Sequence, residues 1–237
     1  WILPPVTKTV AWRDEGTRIK RHSPTIRTPN EFLYGQSGLT WTRAKRTGRR
    51  FGYFPPDGLF SGTSFLFVPK DKSILWELLA GINSDLYHAL FLSLTTERDW
   101  HGGVVGRIPW VGDIANNQEL SELSKKMYEI KKQTRKSEPT SPHYSGAALL
   151  PDVYKSDLFY AHPHAEQGDE VLSEEMNEIS IDASLSDSAR EVEKRKIERK
   201  QKIEAIAKEI NDHIYTTVGI SESTQDLIRD EIFLRTS

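Results

Sequence analysis

The chain of 237 residues contains no cysteine and only two methionines. The absence of cysteine excludes a disulfide scaffold and a cysteine-ligated zinc site, and it fits a cytosolic protein. No apolar run approaches the roughly 20 residues that a membrane-spanning helix needs, and no charged-then-apolar leader opens the chain. We therefore predict a protein of the cytoplasm that has no membrane partner.

The chain also lacks an initiator methionine. It begins at Trp1 with apolar and proline-rich residues, so we expect a piece of a longer polypeptide. Hydrophobic residues make up 37% of the chain, which is enough for a real core at this length.

Acidic residues are scarce in the first quarter of the chain. Residues 1–56 hold eleven Lys and Arg against three acids, a balance of +8, so the remainder carries -10 of the net charge of -2. Such a split suggests a part that faces nucleic acid, joined to an acidic part that faces solvent or protein.

The pattern of residues 1–95 predicts strands followed by helix. We expect short strands and loops over 1–37, then a hairpin in which "RRFGYF" and "LFSGTSFLFVP" flank a turn at 55–58. Within "DKSILWELLAGINSDLYHALFLSL" the apolar spacing predicts a buried helix, broken at Asn83–Ser84.

The next segments alternate in type. "GGVVGRIPW" reads as a strand, and residues 117–136 as a charged helix with a narrow apolar stripe. We expect an extended segment over 137–165 and an acidic linker over 166–187. The stripe comprises Leu120, Leu123, Met127 and Ile130.

Helix signals mark the C-terminal end. Ser188 to Glu191 reads as a capping box that opens a helix, Gly219 should end that helix, and Ser221 should cap a final one. The seam of the first helix is short, so dimerisation and packing on another domain both stay open. Its apolar positions are Ile203, Ile206, Ile210 and Ile214.

These patterns together predict an α/β protein in which a mixed sheet packs on helices and a helical extension follows. The predicted divisions are a domain at 1–136, an extended segment and linker at 137–187, and the extension at 188–237.

Three segments, in this order, resemble the C-terminal target-recognition region of large adenine-specific DNA methyltransferases, as in Type IIG restriction-modification enzymes and the PglX methylase of BREX phage defence. The first is "GLTWTRAKRTGRRFGYFPPDGLFSGTSFLFVP" followed by "LLAGINSDLYHALF", and the second is "VVGRIPW" before the helix at 117–136. The third is "INDHIYTTVGISESTQDLI", where Val218 stands at a position at which the family more often has an aromatic. Together the segments cover roughly half of the chain.

The catalytic half of that family is missing from the sequence. "HGGVVG" has the wrong spacing for a loop that binds S-adenosylmethionine, and Phe54 in "FPPD" occupies the position of the asparagine in Asn-Pro-Pro-aromatic. The resemblance implies a non-catalytic recognition module without a cofactor of its own. The parent enzyme would use S-adenosylmethionine, through a catalytic domain on the same chain or on another subunit of a bacterial defence system.

The resemblance makes the basic stretch around Gly48 the candidate surface for double-stranded DNA. Arginine can bind guanine O6 and N7 in a bidentate manner, whereas lysine and threonine suit phosphates. We expect Trp41, Tyr53 and Phe54 to be core residues instead. The predicted contacts are Arg43, Lys45, Arg46, Arg49, Arg50, Thr40, Thr42 and Thr47, extended by Arg18, Lys20, Arg21 and Arg27.

Other functions have weaker support from the sequence. The main alternative is a protein-interaction module of a defence complex that makes no direct DNA contact. A metal site at His162, His164, Glu166 and Asp169 is not predicted, because converging ligands are not expected from a proline-flanked segment. A nuclease is not predicted either, because neither Asp71–Lys72 nor 129–131 forms a convincing acidic-lysine motif on a strand.

Overall fold

The chain forms a small sheet covered by helices. The computed structural model describes residues 2–4, 10, 12–22, 28, 30–43, 48–60, 64–95, 100–136, 141, 143 and 181–236. Contacts divide the chain into two compact units, one made of Trp1–Lys131 with Glu204–Ser237 and the other of Lys132–Ile203. Residues 204–237, part of the predicted helical extension, thus share a unit with the sheet.

Three antiparallel strands make up the sheet, in the order β2-β1-β3. Four of the five residues of β1 are buried, which fits its central position. Strands are present where we predicted them, in "RRFGYF" (β2) and "LFSGTSFLFVP" (β3). The predicted hairpin between these two strands is wrong, because each of them pairs with β1. An α/β class in the general sense is confirmed, whereas the three strands pair antiparallel and do not form the mixed sheet that we expected. The strands are β1 (Gly38–Thr42), β2 (Gly52–Phe54) and β3 (Ser64–Phe67).

The N-terminal segment carries a short helix, α1 (Thr17–His22), where strands and loops were expected. Short 3-10 turns at Arg13–Gly16 and Glu31–Leu33 flank it. Ile2 forms a parallel bridge to Gly52, so the start of the chain is attached to the edge of the sheet.

The predicted helix with a break is confirmed as α2 (Leu75–Ile82) and α3 (Asp85–Leu94). The Ser84 hydroxyl accepts a hydrogen bond from the Tyr87 amide, at 3.4 Å, as an N-cap does. Gly81 lets the Trp110 ring pack closely against α2, since a Cβ there would lie 2.6 Å from that ring.

The strand predicted in "GGVVGRIPW" is wrong, because Gly102–Val105 form the short helix α4. Backbone amides in this turn bond back to His101 and Gly102, so local hydrogen bonding prevails over the strand preference of valine. The next helix, α5 (Gln118–Arg135), matches the prediction. Its stripe is buried at Leu120, Leu123 and Met127 and half-buried at Ile130.

Two helices close the chain, α6 (Ile181–Val218) and α7 (Glu222–Thr236). The capping-box prediction is wrong, because α6 begins before Ser188 and includes the end of the predicted linker. Gly219 ends α6 at a φ of 74°, as predicted. Ser221 caps α7 by accepting a hydrogen bond from the Thr224 amide, at 3.4 Å.

The last helix packs on α3, and Arg235 donates a hydrogen bond to the carbonyl of Leu92, at 2.9 Å. Within the unit Lys132–Ile203, α6 presents exposed charges paired one turn apart, such as Arg195 with Glu191. None of the helices in the described ranges has the length and apolar character needed to cross a membrane.

The core centres on a cluster of aromatic rings packed around Phe51. The Phe51 ring centroid lies 5.3 Å from those of Trp41 and Phe91 and 5.9 Å from that of Trp100. Trp41 and Phe54 are buried, as predicted, and Tyr53 is half-buried and stacks on Trp76. Phe51 therefore joins the sheet to α3.

Replacing Phe51 with alanine should lower the free energy of unfolding by about 3–5 kcal/mol, because a large cavity would form in contact with three aromatic rings. Chemical denaturation measures the loss. Phe67→Ala is the control: Phe67 lies in β3 but is 47% exposed, so its replacement should cost about 0.5 kcal/mol. Equal losses in the two variants would contradict the central position of Phe51.

Candidate nucleic-acid interface

The basic loop, defined as residues 43–50, connects β1 to β2. Its described ends are Arg43 and Gly48–Arg50, and both are attached to the domain. The Arg43 carbonyl accepts hydrogen bonds from the Trp100 amide at 3.0 Å and from Arg50 Nη1 at 3.2 Å. The Trp41 indole N–H in turn donates to the Trp100 carbonyl at 3.0 Å. These bonds fix where the loop leaves and rejoins the sheet.

Arg50 is part of the core. Its side chain is only 7% exposed, and the guanidinium carbon lies 4.1 Å from the centroid of the Trp100 ring. A desolvated cation over an indole face is a favourable arrangement. In this arrangement the side chain supports the loop. The DNA contact at Arg50 stays a prediction, which the burial of the guanidinium disfavours.

Arg49 is also held by the protein. Its guanidinium forms an ion pair with Asp85 in the first turn of α3, and both side chains are largely buried. Burial lowers the pKa of Arg49, while the charge of Asp85 acts in the opposite direction. Arginine stays protonated despite such a shift. Arg49 thus forms an anchoring ion pair, and its DNA contact stays a prediction that this pairing disfavours.

The three predicted threonines differ in position. Thr40 is buried at the centre of β1 and donates its hydroxyl hydrogen to the Phe65 carbonyl, at 2.8 Å. That bond gives Thr40 a role in the sheet, and its phosphate contact stays a prediction that burial disfavours. Thr42 is exposed at the end of β1, next to the exposed Arg43. Thr47 lies outside the described residues.

The second group of predicted contacts lies on α1. Arg18 and Arg21 are exposed. Lys20 forms an ion pair with Glu31 at 2.5 Å and lies 5.4 Å from the Trp12 ring centroid. The hydrogen bond from Lys20 holds the pKa of Glu31 below its usual value, with a further contribution from Thr28. Lys20 therefore stabilises the turn around α1, and the two arginines are its outward-facing cations.

Several predicted or rejected sites lie outside the described residues. They are the basic residues Arg27, Lys45 and Arg46, and the weighed metal ligands His162, His164, Glu166 and Asp169.

A cleft of about 390 Å³ with a mixed polar and apolar lining lies beside the anchored end of the basic loop. Arg49, Asn83 and Asp85 line one side, and Asn211 of α6 and Thr236 of α7 line the other. The Asp85 amide donates a hydrogen bond to Asn211 Oδ1, at 2.8 Å. The cleft brings together side chains more than 120 positions apart, so local sequence patterns could not have revealed it. The only local signal was the helix break at Asn83–Ser84.

Asn83 fixes the wall of the cleft. It is 3% exposed, and its side-chain amide donates to the carbonyls of Phe51, at 3.1 Å, and Leu79, at 2.9 Å. The bond to Phe51 links the start of β2 to the end of α2. The break between α2 and α3 is therefore also hydrogen-bonded to the sheet. With Arg49 paired to Asp85 and Asn211 bonded to the Asp85 amide, the polar groups that line the cleft connect the basic loop, α3 and α6.

Replacing Arg50 with alanine should cost about 2–4 kcal/mol of folding free energy, because it removes the stack on Trp100 and a hydrogen bond from a charged group. The stability of Arg50→Lys should lie between that of the parent and that of Arg50→Ala, since lysine retains the charge but not the planar stack. Denaturant titration of the three proteins checks this order. An alanine variant as stable as the parent would contradict the structural role.

Tyr215, which is 2% exposed, should make stability depend on pH in the alkaline range. Burial raises its pKa from 10.0 to about 12, and the charge of Asp85 adds to this. The stabilisation from the neutral phenol is complete below about pH 10 and is lost as the pH rises to about 12. In the parent chain the free energy of unfolding should therefore fall between these pH values. Tyr215→Phe should make this fall smaller by on the order of 2 kcal/mol. Denaturant unfolding of both proteins at several alkaline pH values tests this prediction. The same slope of unfolding free energy against pH in the variant and the parent would refute it.

Comparison of the chain with protein-family models found no match, and comparison with curated protein sequences also found none.

Proposed function

We propose that the chain is a module that recognises specific sequences in duplex DNA for an N6-adenine DNA methyltransferase of a restriction-modification or phage-defence system. The observation that carries the proposal is the anchored basic loop. No acid lies between Glu31 and Asp57, and both described ends of the loop are fixed to the sheet and to α3. A cationic segment held in this way suits a polyanion, because less conformational freedom is lost on binding.

The basic residues of the loop divide into two roles. Arg49 and Arg50 hold its base, whereas the exposed Arg43, together with Lys45 and Arg46, supplies charge for the duplex. Such contacts release counterions, and each neutralised phosphate adds about -0.9 to the slope of log affinity against log salt concentration. Thr42 and Thr47 provide hydroxyl groups for phosphate oxygens.

The exposed arginines of α1, Arg18 and Arg21, add to the cationic surface in the proposal. Arg27 joins them on the basis of the sequence alone. Methyl transfer takes place elsewhere: a catalytic domain, on the same polypeptide or a separate subunit, flips the adenine and takes the methyl group from S-adenosylmethionine. We expect such a module to work in the bacterial cytoplasm, with other defence-system subunits as further partners.

Replacing Lys45 and Arg46 together with alanine should weaken binding to duplex DNA and reduce the magnitude of the salt slope by about 1.8, since two phosphate contacts are lost. Fluorescence anisotropy with a labelled random duplex at several salt concentrations measures both effects. The Lys45→Ala/Arg46→Ala variant should melt like the parent chain if the anchors alone support the loop.

Lys125→Ala/Lys126→Ala is the matched control. Both lysines are exposed on α5, so the change in net charge is identical but lies outside the basic loop. If the two double variants weakened DNA binding equally, the loss would come from net charge alone. That result would contradict the assignment of Lys45 and Arg46 as duplex contacts. Replacing Arg49 and Arg50 is unsuitable for this purpose, because it would destabilise the fold as well.

A protein-interaction module is the second candidate, and α7 favours it. Leu227, Phe233 and Leu234 are 68%, 69% and 73% exposed, which is unusual for large apolar side chains on one helix. A partner that covered them would bury apolar area. Absence of any duplex binding at low salt would favour this candidate over DNA recognition.

A further inference from the structure

We propose that Glu119, Glu209 and His213 form a binding site for a divalent transition-metal ion of the zinc type. One oxygen of each carboxylate and one imidazole nitrogen lie within 4.8 Å of one another. All three residues belong to the same compact unit. The site would join the start of α5 to the C-terminal part of α6.

The backbone positions of the three residues suit a common ligand. Glu209 and His213 are four positions apart on α6, so they lie on the same face of that helix. Glu119 is in the first turn of α5, and its Oε1 lies 3.0 Å from His213 Nε2. Bonds of about 2.0–2.2 Å to a tetrahedral zinc ion place its ligand atoms about 3.3–3.6 Å apart. Modest side-chain rotation therefore closes the set around one ion.

The helices hold these positions firmly. Leu120 and Ile214, the chain neighbours of Glu119 and His213, are both 0% exposed, and Ile210, which follows Glu209, is 1% exposed. The backbone beneath each ligand is thus fixed by core packing, while the ligand side chains themselves face outward. A metal ion would gain three donors whose positions are set before it binds.

The charges of the set favour a cation. Two carboxylates this close repel each other, and with neutral imidazole the three donors carry a charge of -2, which a dication cancels. The neighbouring Lys208 does not offset this charge, because it forms an ion pair with Asp212 at 2.5 Å.

The donor types indicate which ion. An imidazole nitrogen with two carboxylate oxygens suits zinc and similar first-row ions, whereas magnesium and calcium prefer oxygen ligands alone. Three protein ligands leave the fourth position of a tetrahedral ion to water. The bound ion would stabilise the folded chain by linking segments of α5 and α6 that are about 90 residues apart.

Isothermal titration of the full chain, without an affinity tag and after treatment with a chelator, tests the site. Zinc chloride should bind with a stoichiometry of one and raise the melting temperature, and excess magnesium chloride should not compete. Glu209→Gln and His213→Ala should each weaken zinc binding by about tenfold or more, because each removes one ligand.

Glu209→Gln is the cleaner variant, since no hydrogen bond or ion pair of Glu209 is recorded within the described part of the chain. Its melting temperature without metal should match that of the parent, which separates metal binding from folding. The control is His162→Ala/His164→Ala, which removes two histidines that do not belong to the proposed site and should leave zinc affinity unchanged. Parent-like affinity in both site variants, or loss of binding in the control alone, would overturn the proposal.

Discussion

The stack of Arg50 on Trp100 is the contact on which most of the domain depends. Trp100 also contacts Phe51 and Phe91 through its ring, and its backbone bonds to Arg43 and to the Trp41 indole. One residue therefore ties the central strand, the entry to β2, α3 and both ends of the basic loop. The cation is what makes this junction unusual, because a buried guanidinium is stabilised only where an aromatic face and carbonyl oxygens compensate for the loss of water.

A second, polar junction connects the sheet-bearing part to the C-terminal helices. The carboxylate of Asp85 forms an ion pair with Arg49, and the backbone amide of Asp85 donates a hydrogen bond to Asn211. One residue at the start of α3 therefore contacts both the basic loop and α6. At the other end of α3, Arg235 of α7 bonds to the Leu92 carbonyl. The two ends of α3 thus hold helices that lie more than 120 residues away in sequence, which explains why residues 204–237 share a unit with the sheet.

Local patterns in the sequence predicted the elements well and their partners poorly. The helix break at Asn83–Ser84, the stripe on α5 and the caps at Gly219 and Ser221 depend on neighbouring residues alone, and the structure confirms them. Pairing of β2 with β1, and not with β3, depends on which strand is buried on both faces. The Val104–Val105 helix depends on a local hydrogen-bonded turn that the strand preference of valine conceals. The spacing of apolar residues in the sequence predicts neither the strand pairing nor this helix.

The same limit applies to the basic loop, with a consequence for function. Counting charges treated its arginines as equivalent, yet the partners that distinguish them, Trp100 and Asp85, lie 50 and 36 residues away from Arg50 and Arg49. The two anchors cannot change without cost to the fold. Replacing Arg49 takes the ion-pair partner from the largely buried Asp85, and replacing Arg50 removes the stack on Trp100. Lys45 and Arg46, the proposed duplex contacts, are different residues from these anchors. If the loop reads DNA, we therefore expect substitutions at Lys45 and Arg46 to alter DNA binding while Arg49 and Arg50 keep their partners in the domain.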